Sequence, residues 1–277
     1  MKASFLLIAL LVALGSFSCR QAGLETEPEP LKPNEPTLAE QAENYAKTHP
    51  DIAPPAVNNV QPSSVKVAID QLFVGTYSFK YGSNNELLHI VTGNDTIFQE
   101  RTDRATKTAS SKVSGEITTF QLNAEGLAQS SKGNTASTPK REVNTRYFYK
   151  NGFLVSMANE TKLTKFEYNG QGNLLSWSGV NHQGLATNAS YEYTDIPNTI
   201  RQEITSWITP HFSMRGDFLC KYSSRLLKKM TVNTTSGISS GNNSVLEFTY
   251  TFDSNGRISR MTIQRSDGTK VFYEYQY

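Results

Sequence analysis

The sequence predicts an all-β protein: an antiparallel meander of about 11–13 strands closed into a barrel or a strongly curved sheet, with one irregular or short helical insertion. Three observations lead there. Runs of alternating apolar and polar residues recur from residue 65 to the C-terminus. Several end in a turn rich in Asp, Asn and Gly, residues that bond their own backbone or tolerate positive φ. Aromatic residues, 13 Tyr and 14 Phe, sit at matching offsets around those turns, as half-buried strands favour.

The N-terminus reads differently. Lys2 precedes a ten-residue apolar core, Phe5 to Leu14, too short to span a bilayer as a helix but suited to a signal peptide over 1–18. Gly15, Ser16 and Ser18 are small, and Cys19 follows. The arrangement resembles a bacterial lipoprotein signal, which implies that Cys19 carries the acyl chains and becomes the mature N-terminus. Phe17 and Ser16 depart from the usual pattern. The plainer reading is an ordinary secretory signal with an accidental cysteine. Residues 19–64 hold most of the eleven prolines and the acids Glu25, Glu27 and Glu29, a composition that reads as a tether. Within it Thr37-Leu-Ala-Glu40 has capping-box spacing, so a short helix is expected up to His49, before Pro50.

The domain proper is placed at 65–277. Its clearest unit is the last. Phe248, Tyr250 and Phe252 alternate with polar residues, Asp253-Ser-Asn-Gly256 turns the chain, and Ile258 and Met261 follow at +2 and +5 from the glycine. A four-residue loop sets Phe248 opposite Met261 and turns Ile258 away; a bulge at Ser259–Arg260 reverses the phase. At Ser266-Asp-Gly268 a three-residue loop sets Ile263 opposite Val271 and Met261 opposite Tyr273. The row Phe248, Tyr250, Phe252, Met261, Tyr273 and Tyr275 is expected to face the interior. Copies of the unit align on Gly172, Gly152 and Asn85, with weaker ones on Arg225 and Gly126.

The insertion, 196–222, breaks this rhythm. Residues 199–208 are helix-compatible between two prolines, Pro197 and Pro210. It carries the residues singled out as a candidate cap or ligand region: Trp207, His211, Arg215, Asp217 and Cys220. If it held a hydrolase site, His211, Asp217 and Cys220 would have to converge; otherwise it covers an open barrel end.

Other chemistry is sparse. His49, His89, His182 and His211 show no metal-ligand spacing, so no metal and no cofactor are expected. No Gly-x-Ser-x-Gly elbow is present. Cys220 is the one cysteine beyond the leader, which rules out a disulfide within the domain. A net charge of +2 with scattered Lys and Arg gives no basic face for nucleic acid. Asp95-Thr96-Ile97 resembles the Asp-Thr-aliphatic motif that some envelope systems O-glycosylate, making Thr96 a candidate.

The unit Tyr250-Thr-Phe252-Asp-Ser-Asn-Gly256-Arg-Ile258 resembles a YD repeat of Rhs-type shell proteins. A wider likeness runs from Gly75 to Tyr277. With the leader and the run Lys221-Tyr-Ser223-Ser-Arg-Leu226, the chain resembles a family of Gram-negative envelope lipoproteins of unknown function with a porin-like fold. That resemblance implies a barrel anchored by lipid at the outer membrane, on its periplasmic or surface side. The expected role is a binding or scaffold module for a glycan, an apolar ligand or an envelope partner. The alternating aromatics of the last strand also match an integral outer-membrane barrel, in which the apolar face would look toward lipid.

Overall fold

The computed structural model describes residues 35–53, 60–82, 87–103, 105–113, 116–134, 142–181, 186–200, 221, 223–236 and 239–277. They form one helix and sixteen strands. Helix α1 spans Leu38–Thr48, and the strands are β1 (Ser64–Ile69), β2 (Leu72–Tyr81), β3 (Leu87–Thr92), β4 (Asp95–Asp103), β5 (Thr108–Val113), β6 (Glu116–Leu122), β7 (Ala128–Asn134) and β8 (Glu142–Lys150). They continue with β9 (Phe153–Ala158), β10 (Lys162–Tyr168), β11 (Leu174–Asn181), β12 (Ala186–Pro197), β13 (Arg225–Ser236), β14 (Ser239–Phe252), β15 (Ile258–Arg265) and β16 (Lys270–Gln276). Each pairs antiparallel with its neighbours in sequence, and β1 pairs β16 from Ser64↔Gln276 to Ile69↔Val271, which closes the barrel. Closure leaves no open sheet edge to pair with another chain.

Sixteen strands exceed the 11–13 expected. The six hairpin units, two strands each, and the last strand account for thirteen; the additional strands are β1, β4 and β5, which carry Phe98 as their one aromatic and so lack the signal that marked the others.

The six aligned units share one device. At Tyr81↔Leu87, Leu122↔Ala128, Tyr149↔Leu154, Tyr168↔Leu174, Tyr193↔Leu227 and Phe252↔Ile258 the register shifts by one residue immediately beyond the pair. The +3 residue is a bulge. In a regular pleat +2 and +5 point to opposite faces; one extra residue restores them to the same face. Ile258 (1% exposed) and Met261 (0%) are accordingly both interior. Of the two registers the sequence allowed, the bulge is the one adopted: Tyr250 lies opposite Met261 and Phe248 opposite Ile263. Phe252 closes the pairing at the rim, 44% exposed, and so leaves the interior row. The other loop forms as expected, with Met261↔Tyr273, Ile263↔Val271 and Gly268 at φ 87°.

Three of the turns of these units repeat as well. The side chains of Asn123, Asn169 and Asp253 accept the N–H of Leu127, Asn173 and Arg257, while Gly126, Gly172 and Gly256 take positive φ and donate to the main chain of the same Asn or Asp. Because consecutive hairpin turns alternate between barrel ends, all six lie at one end, labelled the closed end for the strap and the re-entering chain packed there. The turns at 70–71, 93–94, 159–161 and 266–269 lie at the other, labelled the open end.

The interior is apolar. Val65, Val67, Phe79, Ile90, Leu174, Trp177, Leu227, Met230, Phe248, Met261, Tyr273 and Tyr275 belong to one buried cluster. Strand positions between them carry exposed Lys66, Lys228, Glu247, Thr249, Thr251, Glu274 and Gln276. The aromatic face therefore points inward and the polar face outward.

Helix α1 lies outside, on β8–β10. Thr37 and Glu40 form the reciprocal capping box. A helix of 11 residues is marginal alone, and the wall stabilises it: Ala42 packs with Ala158 and Leu163, and Ala46 and Ile52 with Phe153 and Val155. The β9 bulge makes this possible, because Val155 and Ser156 both face outward and Ser156 Oγ donates to the Ala42 carbonyl at 2.6 Å. Part of the stretch read as tether is thus docked on the barrel.

Candidate functional site

The closed end gathers several buried polar fastenings among the described residues. It receives the C-terminus, the strap 49–53 that follows α1, and the base of the insertion. The lysine, serine and leucine of the Lys-x-Ser-x-x-Leu run each have a place there. Lys221 Nζ donates to the Asn151 carbonyl at 2.7 Å and lies 5.6 Å from the Phe153 ring centroid. Ser223 Oγ accepts the Leu174 N–H at 3.2 Å and pairs with the Tyr193 hydroxyl at 3.1 Å. Leu226 is wholly buried. Asn173 Oδ1 accepts from Ser224 Oγ and the Arg225 N–H, and Asn198 Nδ2 donates to the Ser223 carbonyl. Asn173, Asn198 and Ser223 are buried, and these bonds supply the partners that buried polar groups need. The run is a structural fastening where the chain re-enters the barrel.

The same end is pinned by tyrosines. Tyr168 donates to the Leu154 carbonyl at 3.1 Å, Tyr193 to Leu174 at 2.7 Å, Tyr250 to Leu227 at 2.7 Å and Tyr277 to Ile258 at 3.0 Å. In each case a hydroxyl on the returning strand meets the residue just before a bulge, where the ladder is locally disrupted. Burial pushes the phenols of Tyr191, Tyr193, Tyr273 and Tyr275 well above the usual tyrosine range, and Tyr277 up to about 12. The tyrosines were visible in the sequence as strand aromatics. Their hydroxyl role was not, because it depends on the bulge register.

The candidate residues meet different fates. Trp207, His211, Arg215, Asp217 and Cys220, like Cys19 and His182, lie outside the described residues. His49 is buried, edge-on to Tyr45 and Tyr168, a packing role. Thr96 is exposed at the start of β4, beside the two-residue turn at Gly93. Among the described residues no three His, Cys, Asp or Glu side chains converge as a metal would require.

One concavity, of ≈ 930 Å³, lies on β3–β6. Its lining includes His89, Gln99, Arg101, Ser110, Thr119 and Gln121. Register places these on the outer face: His89 lies opposite Gln99, and Arg101, Ser110 and Thr119 form a row across three strands. Asp103, at its edge, accepts the N–H of Thr106 and Ala105, which holds its carboxyl below the usual range and commits it to the β4–β5 turn. Leu88, Ala109 and Phe120 also line it, so the surface sets hydrogen-bond donors and acceptors beside apolar contact. It suits a ligand with polar groups held by hydrogen bonds.

No protein-family model matches the chain, and no curated protein matches it. Solved structures do. A porin-like protein from Bacteroides uniformis is 14% identical, with a TM-score of 0.55 over 80% of this chain and 99% of that one. A porin-like protein from Bacteroides vulgatus is 12% identical, with a TM-score of 0.56 over 79% of this chain and 99% of that one. The likeness is one of fold.

Proposed function

We propose that the chain is a lipid-anchored cell-envelope protein whose barrel stands in water beside the outer membrane as a binding or scaffold module. The observation that carries this reading is the facing of the strands. A membrane-spanning barrel turns an apolar band outward and a polar lining inward; here the outward positions carry Lys66, Lys228, Glu247 and Glu274 and the apolar cluster is interior. Placing those charges in hydrocarbon would cost about 2–4 kcal/mol for each lysine near the midplane. An anchor outside the barrel meets no such cost, and the apolar segment 5–14 followed by Cys19 supplies one. The porin-like neighbours agree with an envelope setting.

The packed interior directs binding to the outside, where the β3–β6 concavity would accept a polar partner such as a glycan. The test is extraction. Alkaline carbonate should leave the lipidated protein on membranes, while the Cys19→Ala chain should be released folded into the aqueous phase. A Cys19→Ala chain that still needs detergent spans the bilayer and refutes the reading. Acyl labelling that persists in Cys19→Ala refutes the anchor site.

A further inference from the structure

The open end of the barrel carries an apolar patch that packing does not explain. Leu72 and Phe73 are 58% and 59% exposed at the β1–β2 turn. Phe73 and Phe272 both lie opposite Ala68, one from each flanking strand. They therefore share the outer face across a small residue, in a region where that face is otherwise polar. Lys270 stands beside Phe272 on that face, and the Arg260 guanidinium lies 4.3 Å from the Phe272 ring centroid. Acidic side chains share the rim, with Glu274 3.9 Å from Arg260 and Asp70 accepting the Lys270 N–H, so the apolar tip and its two flanking cations, rather than a basic field, make it a surface that can rest in the headgroup layer of a bilayer.

The path of the chain points the same way. Helix α1 begins with Leu38 beside Ala158 and Leu163, next to the 159–161 turn, and ends near Phe153. The N-terminal segment thus joins the barrel from the open end, on the wall across from β1–β2. Residues 19–35, at roughly 3.3–3.6 Å each, reach no further than about 60 Å.

We infer that the open rim is a second membrane contact, in which Leu72, Phe73 and Phe272 enter the headgroup layer of the bilayer that holds the acyl chains. The inference rests on the anchor proposed above. Tether and patch then touch the membrane on opposite sides of the barrel, which directs the closed end, with the insertion, away from it.

The test uses the full mature chain in two forms, lipidated and Cys19→Ala, each with Phe73→Trp, on vesicles of phosphatidylethanolamine and phosphatidylglycerol. Brominated lipid should quench the added tryptophan in both forms, after subtraction of the chain without it. In the Cys19→Ala form, Phe73→Ser with Phe272→Ser should weaken vesicle co-sedimentation at least about tenfold, with circular dichroism unchanged. Absence of quenching in the lipidated protein overturns the rim contact and leaves the anchor standing. Quenching in a chain that keeps Cys19 yet is found without acyl groups on it keeps the contact and overturns the anchor. A vesicle-free dimer that the two serines dissolve assigns the patch to a second copy and overturns the membrane contact.

Discussion

The barrel has two unequal walls. One, from β9 through β16 to β2, holds almost the whole interior cluster and every buried phenol noted above. The other, β4–β7, has a core of Ala109, Phe120, Leu122 and Ala128, with Tyr147 of β8 packed against it. The sequence has no tyrosine between Tyr81 and Tyr147. The same hairpin plan builds both walls, yet one fills the interior and the other carries the concavity on its outer face. The weakest repeat shows how. In the Gly126 unit the +2 and +5 residues are Ala128 and Ser131, where the Gly256 unit has Ile258 and Met261. Bulge and turn are kept while the core side chains shrink. Turn chemistry and packing are thus separate specifications, and a wall released from packing is free to present side chains to a ligand.

Alkali should break the comparison most completely. A phenol whose folded pKa lies above its unfolded value, about 10, binds its proton more tightly when folded. Its stabilisation is fully present below pH ~10 and is lost as pH rises through the folded value. Burial raises Tyr191, Tyr193, Tyr273, Tyr275 and Tyr277, the last to about 12. Phenolate absorbance and far-ultraviolet circular dichroism should therefore change together between pH about 10 and 12 or above. Phenols that titrate near 10 with the strand signal intact would show that the filled wall does not depend on them.

Single substitutions rank the walls more finely. Gly172→Val should cost about 2–5 kcal/mol. Its φ is +79°, and a Cβ there would lie 2.6 Å from Phe153 Cζ and 3.2 Å from the Ala53 carbonyl oxygen of the strap. Met261→Ala, wholly buried among the filled wall's side chains, should cost about 2–5 kcal/mol by urea denaturation. Phe120→Ala removes a larger side chain, yet should fall near the bottom of the range for a buried Phe, about 3 kcal/mol, because its cluster is small. A greater loss for Phe120→Ala than for Met261→Ala would reverse the ranking.

The contrast also governs what the sequence could reveal. The filled wall was legible because the Asn85, Gly172 and Gly256 units carry aromatics at −4 and −6 and every one of its units carries large apolar residues at +2 and +5. That +2/+5 spacing is itself the mark of a bulge, since no regular pleat places both on one face. The register at Ser266–Gly268 could be read because only one loop length aligned Met261 with Tyr273. The thin wall is fainter because Thr108–Val113 has no aromatic and no unit marks it, and because the back-strand of the Gly126 unit, Ala128–Asn134, is mostly small or polar. The docking of α1 could not be read at all. Thr37 and Glu40 gave its cap, but its seat depends on Val155 and Ser156 both turning outward, a product of the β9 bulge. The concavity joins His89, Arg101 and Thr119 from three strands, and no linear motif records that proximity.

The tyrosine pins give a smaller test of how far the filled wall depends on its bulges. Tyr277→Phe removes the hydroxyl that donates to the Ile258 carbonyl while keeping the ring, over which Arg257 lies at 4.4 Å. The expected cost is about 1 kcal/mol, with hydrogen exchange rising locally at β15 and β16 and no change at β4–β7.

The smallest effect is expected outside both walls. Thr37→Ala deletes the side chain that accepts the Glu40 N–H and leaves Glu40 reaching back to the Thr37 N–H alone. Loss of a helix cap costs about 1 kcal/mol. Because α1 is seated on β8–β10, that cost should appear as faster exchange of the first helical turn. The barrel's own transition should hardly move if the helix unseats by itself. If Thr37→Ala instead lowers the barrel midpoint as much as Tyr277→Phe, helix and wall unfold as one unit. The strap bonds from Ala53 to Gly170 and from Asn151 to Ile52 would then couple the N-terminal segment to the closed end.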